Sequence, residues 1–141
     1  MQRYAIIVAG DKGLRMGGDT PKQFLPLGIK PVIAQTIDQF LSFDEETKII
    51  VVLPAEHIST WLEIKGVHFP NTEIQHVAGG EQRFDSVRAG LSLIKGEGLV
   101  AIHDAVRPFV TKDTISESYK SAHKHGSGVA TVPLKDSIRE L

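Results

Sequence analysis

A chain of 141 residues with 41% hydrophobic and 23% charged residues has the size and composition of one globular domain with a substantial core. Its net charge of −1 excludes a global basic field for nucleic acid or an anionic membrane, so any anion recognition has to be local. Cysteine is absent, which removes disulfides, thiolate zinc sites and cysteine nucleophiles together. No apolar stretch approaches the roughly 20 residues of a membrane span. The N-terminal MQRYAIIVAG has too short an apolar run for a signal peptide and no small-residue cleavage flank. A cytoplasmic protein with no membrane or nucleic-acid partner is expected.

Short apolar runs alternate with longer amphipathic segments. The first strand is expected over residues 4–9, YAIIVA, and GDKGLRMGGDTPKQF follows it directly. Pro31 suits a first helical position, with Val32, Ile33, Thr36, Ile37 and Phe40 spaced along one buried face. A second strand is expected at 48–53, a helix over residues 55–64, and a third strand at 73–78. A helix over 85–94 should bury Val87, Leu91 and Ile94. A fourth strand at 99–103 leads to a helix that begins near Asp113 and stops before Gly126, and a fifth strand is expected at 128–133. β-Branched content and Gly, Pro or Asp flanks favour strand over buried helix in the apolar runs. This alternation implies a single α/β domain over 1–141: a doubly wound, Rossmann-like, mostly parallel sheet with helices on both faces.

Ligands in such sheets bind beyond the carboxyl ends of the strands, and three unusual segments fall there. In the first, Gly10 and Gly13 permit close backbone approach, and consecutive amides make a concavity for an anion. Arg15 and Lys22 add full charges, and Pro21 stiffens the backbone before Lys22. That combination suits a triphosphate, although a surface loop with solvated charges has the same composition. No Gly-Lys-Ser/Thr follows, so this is not a P-loop, and the glycine spacing is not that of a dinucleotide fingerprint. The second segment, GGEQRFDSV, reads either as a turn with Asp85 or Ser86 starting a helix, or as Gly80 amides and the Ser86 hydroxyl meeting the edge of a base. In the third, AIHDAVRP, Asp104 could equally hold Mg²⁺, cap a turn or pair with Arg107. His103 reads as structural. His123 and His125 point to different sides of a helix and offer no metal site. No Ser-His-Asp order or nucleophile elbow can be placed. Transfer onto an already ionised phosphate would need no base.

Taken together and in this order, VAGDKGLRMGGDTPKQFLPLGIKPV, GGEQRFDSVRAGL, HDAVRPFV and VPLKDSIRE resemble the 2-C-methyl-D-erythritol 4-phosphate cytidylyltransferase family. R-M-G followed by P-K-Q-F is specific to the cytidylyltransferase group. The resemblance implies a nucleotide-diphosphosugar-transferase-like fold and a homodimer. It implies transfer of CMP from CTP to a polyol phosphate, with Mg²⁺, in the non-mevalonate route to isoprenoid precursors. It assigns transition-state charge stabilisation to Arg15 and Lys22, and the nucleotide site to Ala9, Gly10 and Gly13. Gly80, Glu81 and Ser86 would discriminate cytosine, and Asp104 would bind Mg²⁺ or the polyol. Arg107 and Ser137 would face the second substrate, Ser137 across the dimer interface.

Two residues depart from the family pattern. Asp11 stands where glycine is usual, and is expected to point away from the phosphates. Ser137 replaces a usual threonine and keeps the hydroxyl. The pattern also continues beyond Leu141, so this chain is expected to carry the CTP half of the site, with the 141-residue form impaired and a longer protein active. Two alternatives are a ribitol 5-phosphate cytidylyltransferase, which shares PKQFLPL and H-D-x-x-R-P, and a non-catalytic nucleotide-binding module. A dinucleotide oxidoreductase ranks third, because Pro54 stands where a ribose-binding acid would follow the second strand.

Overall fold

In a computed structural model, the chain is described over residues 1–9 and 20–126. The elements follow as β1 (Arg3–Val8), the short strands β2 (Pro26–Leu27) and β3 (Lys30–Pro31), α1 (Val32–Phe43), β4 (Lys48–Leu53), α2 (Ile58–His68), β5 (Ile74–Ala78), α3 (Arg83–Leu91), β6 (Leu99–Asp104) and α4 (Lys112–His125). Single 3₁₀ turns occupy Lys22–Phe24 and Ala55–His57. The main sheet has the order β5-β4-β1-β6, and all three pairings are parallel. β2 and β3 form a separate antiparallel hairpin. No described helix is long and apolar enough to cross a membrane.

Strand alternation explains the layers. In β1 and just beyond it, Ala5, Ile7 and Ala9 join one core cluster, while Tyr4, Ile6 and Val8 join another. The first cluster takes Ile33, Ile37 and Phe40 from α1, Trp61 from α2, and Ile115 and Tyr119 from α4. The second takes Val87 from α3, followed by Leu93 and Ile94. A strand covered on both faces needs apolar residues at every position, which is why KIIVVL reads as a continuous run. Ile6, Ile7 and Ile50 are fully buried, each stabilising the fold by about 1.5–3 kcal/mol relative to exposure.

The doubly wound α/β reading holds, and several local expectations are corrected. Pro31 is the N-cap of α1 rather than its first residue, because its extended ψ of 152° belongs to the hairpin strand β3. The segment expected as a helix over 55–64 is a 3₁₀ turn followed by α2, which runs on to His68. The helix expected at 85–94 begins at Arg83 and ends at Leu91, which is 43% exposed. Val87 and Ile94 pack on the core as expected, but Ser86 and Gly90 rather than Leu91 are the buried residues of the helix, because it lies almost on the sheet: a Cβ at Gly90 would sit 2.8 Å from Ile6 Cγ2. α4 ends as expected at Gly126, whose φ of 85° favours glycine. Tyr119 of α4 donates its hydroxyl to Tyr4 O at 2.7 Å, and burial pushes its phenol pKa well up. The strand expected at 128–133 lies outside the described residues.

Candidate functional site

The sheet order reverses at β1. The chain steps outward from β1 to β4 and β5, then returns to place β6 on the other side of β1. Such a switch leaves a crevice at the carboxyl ends of the two central strands. Val8 lies opposite Asp104 in the β1–β6 register. The backbone bonds Ala9 N to Val52 O (2.7 Å), Ala105 N to Val8 O (2.9 Å) and Gly79 N to Leu53 O (2.9 Å) carry the pairing to the edge. Of the three segments singled out in the sequence, those that follow Ala78 and His103 leave the sheet along this edge, and residues 10–19 of the first lie outside the described residues.

Lys22 is set there by its neighbours. Gln23, 3% exposed, donates its side-chain amide to Ala9 O at 3.0 Å. Phe24 is buried with its ring edge-on to His57, centroids 5.8 Å apart. A buried polar anchor and a buried aromatic thus fix the 3₁₀ turn and leave Lys22 half-buried beside them. Among the described residues no carboxylate lies within ion-pair distance of its ammonium. The charge is therefore not neutralised within the described protein, as a residue that meets an anion requires. Ala9 is placed at the edge of β1, whereas Gly10, Asp11, Gly13, Arg15 and Ser137 lie outside the described residues.

The Gly79–Ser86 segment is first of all a helix start, and the cap falls earlier than expected. Gln82 is the N-cap, and a capping box joins its side chain to the Asp85 backbone and the Asp85 carboxylate to Gln82 N at 3.3 Å. Asp85 is therefore the third helical residue and not the first. Ser86 is 2% exposed and lies beneath Gly79, where a Cβ would come 2.5 Å from Ser86 Oγ. A Cβ at Gly80 would run into the Asp85 side chain. Gly80 is half-buried and Glu81 exposed.

At the end of β6, Asp104 pairs with two guanidiniums. One carboxylate oxygen meets Arg83 Nη1, and the other lies 3.3 Å from Arg107 Nε. Pairing with Arg107, one of the readings the sequence left open, is present; the contact with Arg83 was not expected. Three side chains lace the turn after Asp104. Thr36 of α1, fully buried, donates to Ala105 O at 2.7 Å, and Gln39 donates to Val110 O at 2.6 Å. His103 Nε2 lies 2.9 Å from Arg107 O, so the ring proton sits on that nitrogen if the carbonyl accepts. Its ring packs edge-on to Phe40, 5.3 Å between centroids, and burial holds its pKa below the usual imidazole value. His103 is thus structural, as its neighbourhood in the sequence implied.

Among the described residues no group of three His, Cys, Asp or Glu side chains is placed to hold a metal ion. Arg83, Gln23 and Thr36 were missed by sequence reasoning. Their partners are 21, 14 and 69 residues away, and no local spacing signals such pairs.

The family model for 2-C-methyl-D-erythritol 4-phosphate cytidylyltransferase matches residues 4–141. A relative of that name from Phocaeicola vulgatus is 46% identical over 144 residues, covering all of this chain and 64% of the relative. One from Bacteroides thetaiotaomicron is 45% identical over 141 residues, again covering all of this chain and 64% of the relative. Among solved structures, the bifunctional IspDF from Campylobacter jejuni aligns with a TM-score of 0.72 at 25% identity, over 88% of this chain and 31% of that one. The chain thus spans just under two thirds of the length of the two curated relatives. With a parallel sheet switched at β1 and a match running from that strand to the last residue, the chain belongs to the 2-C-methyl-D-erythritol 4-phosphate cytidylyltransferase family.

Proposed function

We propose that the protein carrying this chain transfers CMP from CTP to 2-C-methyl-D-erythritol 4-phosphate and releases pyrophosphate. One observation carries the reading: in a chain of this family, the Lys22 ammonium, which pairs with no carboxylate among the described residues, shares one carboxyl edge of the sheet with Ala9, the Gly79–Gly80 turn and the Asp104–Arg107 pair. The substrate phosphate is already ionised, so its oxygen attacks the α-phosphorus without a base. A new P–O bond forms as the bond to the β-phosphate oxygen breaks, and that oxygen leaves with the electron pair. Charge gathers on the phosphoryl oxygens, and Lys22 with Arg15 offsets it.

Ala9, Gly10 and Gly13 wrap the phosphates. Gly80 and Glu81 meet the cytosine edge, with Ser86 supporting the Gly79–Gly80 main chain from beneath. Arg107 and Ser137 face the erythritol phosphate, and the segment at and beyond Ser137 joins a second subunit in a cytoplasmic homodimer. Asp104 fits the Mg²⁺ that the family implies. It is a partly exposed oxygen donor at the site edge, and Mg²⁺ customarily takes one or two carboxylates together with substrate phosphates and water. Bound there, the cation neutralises triphosphate charge.

The test is pyrophosphate release by the full-length protein from CTP with the erythritol phosphate or with ribitol 5-phosphate. Release with the first substrate and little with the second is expected. No release with either polyol phosphate sinks the enzymatic reading, and preference for ribitol 5-phosphate sinks the substrate assignment.

A further inference from the structure

We infer that Arg83 is the resident counter-cation of Asp104, and that a divalent cation reaches this carboxylate by displacing it. The inference rests on the reading of Asp104 as a cation ligand and says what that reading requires of a residue not assigned to the site.

Arg83 opens α3, and Asp104 closes β6. Between them run β4 and β1, on which α3 packs through Gly90 and Val87. The Arg83 side chain therefore spans the carboxyl end of β1 to reach β6, across the crevice that the strand order creates. With Arg107 on the second oxygen, both oxygens of Asp104 already carry a guanidinium. A magnesium-like ion needs a carboxylate oxygen at roughly 2.0–2.1 Å. A guanidinium hydrogen on that oxygen occupies the position, and its charge repels the ion. Of the two arginines Arg83 is the more confined, 47% against 69% side-chain exposure.

Where it stands, Arg83 pairs with no other carboxylate among the described residues, and neighbouring Asp85 is held in the capping box. The phosphates of an incoming nucleotide supply the missing anion. Carboxylate and guanidinium then exchange partners: Asp104 takes the cation and Arg83 takes phosphate oxygen. The free ion alone offers only half of this exchange, so Arg83 makes cation binding depend on nucleotide.

The experiment measures Mn²⁺ binding to the full-length protein by water-proton relaxation, with and without CTP, in wild type, Arg83→Gln, Arg83→Lys and Asp104→Asn. Without nucleotide, Arg83→Gln should bind Mn²⁺ more tightly than wild type, by roughly two- to fivefold for a partly exposed ion pair. Arg83→Lys, which keeps a cation in reach, should stay near wild type. With CTP the advantage of Arg83→Gln should disappear. Equal or weaker Mn²⁺ binding by Arg83→Gln without CTP overturns the inference, as does undetectable binding up to millimolar Mn²⁺. Asp104→Asn separates the two levels of the claim: if it leaves Mn²⁺–CTP binding unchanged, the assignment of Asp104 itself falls, whereas if it weakens that binding while Arg83→Gln changes nothing, only the role of Arg83 falls.

Discussion

Gln23 Nε2 donates to the main-chain carbonyl of Ala9 at 3.0 Å, and both residues are buried. That single bond ties the turn bearing Lys22 to the end of β1. Gln23→Leu keeps the volume and leaves the carbonyl without this donor, at a cost of about 1–3 kcal/mol. Thermal unfolding should show a lower Tm, and turnover should fall with it because Lys22 loses its anchor. A variant with unchanged Tm would show that the bond does not hold the turn.

Lys22→Ala tests the enzymatic reading against a binding module. Loss of one preorganised charge at the reacting phosphoryl group should lower kcat on the order of 10². CTP affinity, measured by titration, should change far less, because transition-state interactions act on rate. A change in affinity with the rate constant preserved would favour the non-catalytic module.

Thr36 of α1 holds the turn after Asp104 through its hydroxyl on Ala105 O. Thr36→Val is close in shape but leaves a buried carbonyl short of a donor, again about 1–3 kcal/mol. Because Arg107 sits on that turn, KM for the erythritol phosphate should rise more than KM for CTP. Thr36→Ser restores the hydroxyl and should restore both. Equal changes in the two KM values for Thr36→Val would mean that the effect is on stability alone.

Two helical glycines should respond to alanine with opposite sign. Gly66 in α2 faces open space, so Gly66→Ala should stabilise by up to about 1 kcal/mol through helix propensity. Gly90 in α3 faces fully buried Ile6 at 2.8 Å, and the overpacking in Gly90→Ala should cost about 1–3 kcal/mol. Urea unfolding midpoints that move in the same direction would refute the packing account of α3.

Much of the architecture was legible because it is written in short-range spacing. The unbroken apolar runs of β1 and β4 announced strands covered on both faces, and Ile33, Thr36, Ile37 and Phe40 recur at helical intervals that their burial bears out. Gly126 marked the end of α4 by its conformational freedom. The helix after Gly80 was misread at both ends. Its cap depends on the paired geometry of Gln82 and Asp85, and its inner face is chosen by how closely the sheet approaches, so that small Gly90 turns inward and Leu91 outward.

The sequence by itself determined the alternation of strand and helix across the described residues, the carboxyl-edge position of the segments after β5 and β6 and the family to which the motifs point, since each depends on residues within a few positions of one another. Only the tertiary structure decided which charges meet. Arg83 reaches Asp104, Gln23 reaches Ala9 and Thr36 reaches Ala105 because the strand order β5-β4-β1-β6 folds distant segments onto one edge. No local period encodes that order; it is set by which arrangement of strands and helices buries both apolar faces at once.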